Sequence, residues 1–308
     1  MKPMILNNNL TLTIINILLN LIDVLLVLLP VLLSVAFMTI IERKQLAAHQ
    51  RRTGPNSVGY YGILQPFHLW GIIPFGEGLS LSDFSLGVLY TLALSSLGVY
   101  GVLFAGWSAN SKYAFLGSLR STAAMISYEL ILSSAILIVI LLTGSFNFTT
   151  IIESQQSVWF VVPLLPVFIF YFISILAETS RTPFDLQEAE SELVAGFFTE
   201  HSSIIFVFFF LSEYSSIILF SCITSILFLG GYNAPELFVN DTFINLQSIV
   251  LGVKTCLICF LFVWVRATLP RLRYDQLISL CWLNLLPVAV AFIIFVPCIL
   301  VAFDIAPY

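Results

Sequence analysis

The chain has 308 residues, of which 59% are hydrophobic and only 9% charged, against about 25% charged in an ordinary soluble domain. Too little polar side chain is present to cover a water-facing surface, which excludes a soluble globular enzyme and implies an integral membrane protein. The net charge of −5 decides nothing, because in such a protein the placement of charges matters more than their sum.

In chain order, the opening stretch Met1 to Asn9 lacks the Arg- and Ser-rich amphipathic pattern of an organelle import sequence. A chain of this hydrophobicity without an import address is expected to be bacterial or made inside the organelle that uses it. A bilayer core of about 30 Å is crossed by about 20 apolar residues in helix. Seven stretches reach that length, at roughly 10–41, 84–106, 123–143, 157–177, 203–230, 247–266 and 282–303. They predict an all-α, polytopic transmembrane helix bundle. The first stretch would be about 48 Å long as helix, so it must tilt or protrude. Pro30 marks a kink within it, and Asn16, Asn20 and Asp23 bring its first turns toward the interface.

The basic residues test this number of crossings. Of twelve Lys and Arg, ten fall in four groups between spans: Arg43, Lys44, Arg51 and Arg52; Lys112 and Arg120; Arg181; Arg266, Arg271 and Arg273. Basic loops share one side of a membrane. The last three groups comply, with two crossings between each and the next. The first two do not, since only 84–106 separates Arg52 from Lys112. Either residues 60–78 cross, or a crossing is absent. Pro66, Pro74, Gly71, Gly76 and Gly78 make 60–78 a poor helix, which favours an absent eighth span.

The acidic residues are clustered. Glu178, Asp185, Glu188, Glu190 and Glu192 fall within fifteen residues, in an acidic loop taken as 178–197. Thr182, Pro183 and Asp185 read as a helix start, with Thr182 as N-cap and Asp185 as the third-position acid. Asp185, Glu188 and Glu192 would then share one face. A solvated helix start favoured by the macrodipole accounts for Asp185 and Glu188, but less well for four like charges in eight residues with only Arg181 beside them. If buried, such a cluster cannot be fully ionised and titrates as a coupled set. Inside the spans lie Glu213, about 15 Å into its helix, and Glu129 and Lys254. One buried charge costs at least about 2.5 kcal/mol, so such groups are paired or belong to an ion pathway. Their bland alternative is a structural hydrogen bond between helices. With the loop, they outline a line of protonatable groups running toward mid-membrane.

Other chemistries are poorly supported. His49, His68 and His201 lie near segment ends, so no pair within a span could ligate haem. The five cysteines sit in or beside apolar runs, which is no disulfide framework. Cys256 and Cys259 have no second pair to complete a zinc site; they read as packing residues. No phosphate-binding glycine loop followed by Lys-Ser/Thr is present. Any redox chemistry would therefore draw its electrons from a partner.

Five segments carry a resemblance: ERKQLAAHQRRTGPNSVGYYGILQPF (42–67), GWSANSKYAFLGSLRSTAAMISYE (106–129), AETSRTPFDLQEAESELVAGF (177–197), SEYSS (212–216) and RATLPRLRYDQL (266–277). Long, in the family's order and spread over nearly the whole chain, they resemble the subunit 1 family of respiratory complex I, NADH:ubiquinone oxidoreductase, in its organelle-encoded mitochondrial form. The resemblance implies an eight-span, all-helical subunit joining the membrane arm to the hydrophilic arm. Glu178, Asp185, Glu188, Glu190 and Glu192 would form a carboxylate funnel below the quinone chamber, and Glu129 and Glu213 would continue it. Arg43, Arg52, Arg181, Arg266, Arg271 and Arg273 match basic positions near the chamber and the hydrophilic-arm interface, and Phe67 and Phe184 would line the quinone passage. Ubiquinone is then the substrate. Iron–sulfur clusters, flavin and NADH belong to partner subunits, and other complex I subunits and lipids are the neighbours, with no nucleic acid. The expected location is the mitochondrial inner membrane, with the basic and acidic loops on the matrix side.

One departure from the family falls where charge parity demands a crossing. After GILQPF the family continues for some thirty residues, through an amphipathic helix and a second span, whereas Phe67 is followed here by HLWGIIPF. The absent helix is therefore expected between about residues 67 and 69, either as residues left out of the chain as numbered or as a deletion. Two other readings compete with a coupling subunit. A secondary proton or ion transporter usually shows internal repeats, and no second copy of the acidic loop or of RTGPN is visible. A structural anchor without a proton role would leave the acids solvated and individually dispensable.

Overall fold

The computed structural model describes residues 85–185, 203–233 and 247–304, together with Met38, Glu42 and Leu46. Two compact units are present, Met1–Ile73 and Pro74–Tyr308. In the first, Met38, Glu42 and Leu46 are helical, and Met38 and Glu42 are buried. The rest of the 10–41 stretch, residues 60–78 and the junction at 67–69 lie outside the described residues.

The second unit is all-α, with no strand among its described residues. Its helices are α1 (Gly87–Ser108), α2 (Lys112–Thr143), α3 (Phe148–Ser154), α4 (Leu165–Glu178), α5 (Ser203–Phe228), α6 (Gln247–Thr268) and α7 (Tyr274–Ser279), which runs through a π turn at Leu280–Leu285 into α8 (Leu286–Ala302). Among the described residues, five segments are long and apolar enough to cross a membrane: α1, α2, Phe209–Phe228 of α5, α6, and Tyr274–Ala302.

Local chemistry sets the helix ends. Ser111 accepts a hydrogen bond from Ala114 N–H at 3.2 Å, capping α2 well before the apolar run that begins near 123. At 32 residues α2 is about 48 Å long, so one end stands clear of a bilayer core. It closes at Gly144, left-handed with φ 68°. By contrast the stretch 157–177 is helical only from Leu165. Pro163 and Pro166 explain the late start, since proline fits only the first turn.

Packing is the reverse of a soluble bundle. Leu97, Phe104 and Trp107 on α1 and Ile294, Phe295 and Val301 on α8 are exposed, as lipid-facing side chains must be. Inside, Tyr128, Ile131, Leu132, Ala135, Ile138 and Val139 of α2 have no exposure or almost none, and α2 packs against α1, α4 and α8 while α5 packs against α6. Ser221, Thr224 and Ser225 sit in the interior of α5 without cost in unpaired donors. Each donates to a carbonyl of its own helix, at 2.6, 2.6 and 2.7 Å. The α1–α2 crossing needs Gly106: a Cβ there would lie 2.0 Å from Ser118 Oγ.

Hydrogen bonds between connections show which ends face the same way. At one end Leu272 N–H donates to Pro183 O at 3.0 Å, and from the middle of α2 Tyr128 Oη reaches Leu277 O of α7 at 3.1 Å. At the other, Val88 N–H donates to Phe146 O, Val161 N–H to Phe228 O, and Asn233 Nδ2 to Ile152 O.

Candidate functional site

The acids are best followed from α2 outward. Glu129 stands midway along α2 and accepts a short hydrogen bond from Ser96 Oγ of α1. The carboxyl of Glu178, at the last residue of α4, lies within Coulombic range of Glu129. Glu178 is buried, and its Oε2 has no hydrogen-bond partner among the described residues. A buried carboxyl and a half-buried one, on helices that pack together, thus influence each other although 48 residues of sequence lie between them.

The chain leaves α4 through a Schellman motif. Ser180 takes the left-handed conformation at φ 51°, Ser180 N–H donates to Ala177 O, and Arg181 N–H to Leu176 O, both at 3.1 Å. That motif turns Arg181 inward. Its Nε lies 2.9 Å from Glu213 Oε1 of α5, and its guanidinium stands over the Tyr214 ring at 4.3 Å. Both charged side chains are largely withdrawn from solvent. Arg181 therefore serves Glu213, a span acid 32 positions away, as well as sitting in the acidic loop.

Residues 181–184 then form a tight turn. Phe184 N–H donates to Arg181 O at 2.8 Å, around a cis Thr182–Pro183 peptide, the arrangement of a type VI turn. The helix start read at Thr182 and Asp185 is not formed. The groups it would use are engaged elsewhere: Pro183 O accepts from Leu272 N–H, and Asp185 Oδ2 accepts from Arg271 Nη2 at 2.8 Å. Phe184 is buried, its ring 5.4 Å from that of Tyr128. Within eight residues, Glu178, Arg181 and Asp185 are each tied to a different element: α2, α5 and the α6–α7 connection.

Lys254 does not join this line of groups. Its Nζ donates to Leu229 O, Gly231 O and Asn233 O at 2.6, 2.8 and 2.6 Å and stands 4.6 Å from the Trp159 ring centroid. All three donors bind the carbonyl end of α5, at the opposite end of the unit from Asp185. The lysine is a helix clamp, the structural alternative to an ion pathway. Arg266 closes α6, and Arg271 and Arg273 are exposed just beyond it; Arg273 N–H donates to Gln276 Oε1 at 3.4 Å. Glu188, Glu190, Glu192, Arg43, Arg52 and Phe67 lie outside the described residues. Sequence reasoning missed Ser96, Tyr128 and Tyr214. The signal available was polarity within otherwise apolar runs, at Ser95-Ser96 and beside Glu129 and Glu213.

The NADH-ubiquinone oxidoreductase chain 1 of Mycosarcoma maydis is 64% identical to this chain, over 90% of this chain and 94% of the relative. A family model described as NADH dehydrogenase matches residues 22–68 and 67–297. The chain belongs to the NADH dehydrogenase subunit 1 family. Other members are the NADH-ubiquinone oxidoreductase chain 1 of Podospora anserina, 49% identical over 89% of this chain and 94% of its own, and that of Chondrus crispus, 46% identical over 89% and 94%. The family match divides at residues 67–68. The Mycosarcoma alignment runs over 312 positions yet takes in 90% of the 308 residues here, so roughly 35 of its positions have no residue in this chain.

Proposed function

We propose that this chain is the core membrane subunit of a proton-translocating NADH:ubiquinone oxidoreductase of the mitochondrial inner membrane, and that it couples quinone reduction to proton movement. In this reading it holds no electron carrier. Electrons reach ubiquinone from an iron–sulfur cluster in a neighbouring hydrophilic subunit, and the headgroup is received in a chamber that this chain helps to wall. Phe184 lines the quinone passage, and Arg266, Arg271 and Arg273 face the chamber and the hydrophilic arm on the matrix side.

Reduction of the quinone changes local charge and takes up protons. The carboxylates of 178–192 respond by shifting protonation and loop conformation, and the change passes along Glu129 and Glu213. This is an electrostatic switch with two settings rather than a nucleophilic site. The single observation that carries the reading is the hub at 178–185. One short segment ties a buried carboxyl to Glu129, an arginine to Glu213, and Asp185 to Arg271 of the neighbouring basic loop. In this reading a charge change at one of the three reaches the others through the short segment that carries them all.

The test is Asp185→Asn or Glu192→Gln in the assembled complex. Quinone-linked turnover should fall several-fold, while NADH oxidation by an artificial acceptor, which needs only the hydrophilic arm, stays intact. Unchanged quinone reduction and proton uptake would overturn the role, and would favour an anchor subunit instead.

A further inference from the structure

Ser96 is a lone hydroxyl with two acceptors. Its Oγ lies 3.0 Å from Leu92 O, one turn back along α1, and also makes the short contact to Glu129 Oε1. A serine hydroxyl carries a single hydrogen, so it can serve only one acceptor at a time. The neighbouring Ser95 shows the ordinary arrangement for a serine in a span, donating to Leu92 O at 2.8 Å. Ser96 shares that acceptor and adds a second one, because α1 turns this residue toward α2 at the level of Glu129.

We propose that Ser96 is a positioning residue for Glu129, a two-position rotor whose setting follows the proton on that carboxyl. With Glu129 ionised, the Ser96 hydroxyl donates to the carboxylate. When Glu129 takes up a proton from the path, its own O–H donates to Ser96 Oγ, and the Ser96 hydrogen swings to Leu92 O. The Ser96 O–H bond is never broken and no proton is lost; the carboxyl is held in one orientation in both charge states. The orientation matters because Glu178, the next carboxyl along, is within Coulombic range with an oxygen that has no hydrogen-bond partner among the described residues. A Glu129 free to rotate would present its proton elsewhere.

The inference rests on Glu129 belonging to the coupling path, so the experiment separates the two. Ser96→Ala, Ser96→Thr and Glu129→Gln are made in the assembled complex. Quinone reductase activity and proton translocation in closed vesicles are followed across pH, with artificial-acceptor NADH oxidation as the assembly control. Loss of a hydrogen bond to a charged group predicts a fall of roughly tenfold or more in Ser96→Ala, with its pH profile displaced. Ser96→Thr, which keeps the hydroxyl, should retain most activity and the wild-type profile. A Glu129→Gln variant with wild-type coupling sinks the underlying path. A damaging Glu129→Gln beside a silent Ser96→Ala leaves the path standing and overturns the rotor. So does a Ser96→Ala defect that threonine fails to restore, since that marks a packing role.

Discussion

Arg181 and Glu213 show how strongly a single side chain is constrained in this interior. Their side chains retain 8% and 15% exposure at a separation of 2.9 Å, so removing either takes a close counter-charge from a group largely withdrawn from water. Arg181→Met should destabilise the subunit by about 3–5 kcal/mol, whereas replacing both partners by apolar residues should recover most of that loss. The midpoint of thermal inactivation in membranes reads the difference. If Glu213 also carries charge for coupling, the double variant regains stability without regaining proton translocation. A double variant as unstable as the single ones would contradict the pairing. The Asp185–Arg271 contact is a different case, because Arg271 keeps 31% of its exposure. Solvent at Arg271 screens such a pair, so Asp185→Asn should cost less stability than Arg181→Met, and thermal inactivation measured beside turnover separates function from folding.

At the scale of elements, the α1–α2 approach is set by one missing methyl. In Gly106→Ala the new Cβ would meet Ser118 Oγ at 2.0 Å and Ser118 Cβ at 2.3 Å, so α1 and α2 must separate and the contact that brings Ser96 to Glu129 opens with them. Gly98 of the same helix has nothing within 4 Å of its would-be Cβ. We expect Gly106→Ala to lower the amount of assembled, quinone-active complex and Gly98→Ala to be silent; equal behaviour of the two would show that the crossing tolerates the extra atom. The apolar runs made the α1, α2, α5 and α6 helices readable from sequence, because length and hydropathy alone specify a lipid-facing helix. What lay hidden was rotation and register. Nothing in the sequence says that Arg181 turns toward α5 or that Glu178 faces Glu129. Lys254 looked like a member of the acid line because backbone carbonyls, its actual partners, have no sequence signature. The Thr182–Asp185 stretch carries a genuine helix-start pattern and forms a turn because Leu272 and Arg271, distant in sequence, claim its acceptors.

For the whole molecule, charge and covalent length raise the same question. Arg271 meets Asp185 at one end of the second unit, beside Arg181, while Lys254 binds carbonyls at the other. The anomaly between Arg52 and Lys112 remains, and it coincides with the division of the family match at residues 67–68. We expect the subunit in working membranes to carry the additional crossing, and therefore to have an intact mass above the 34.4 kDa of these 308 residues by the mass of about 35 more. A measured 34.4 kDa would instead establish a true deletion where the family match divides. The central claim, that buried carboxyls of this subunit carry the coupling, is tested most directly at Glu178. Proton translocation and quinone reduction should be measured together in closed vesicles holding the Glu178→Gln complex. Both should fall several-fold with artificial-acceptor NADH oxidation unchanged; wild-type turnover with wild-type proton flux would contradict the account.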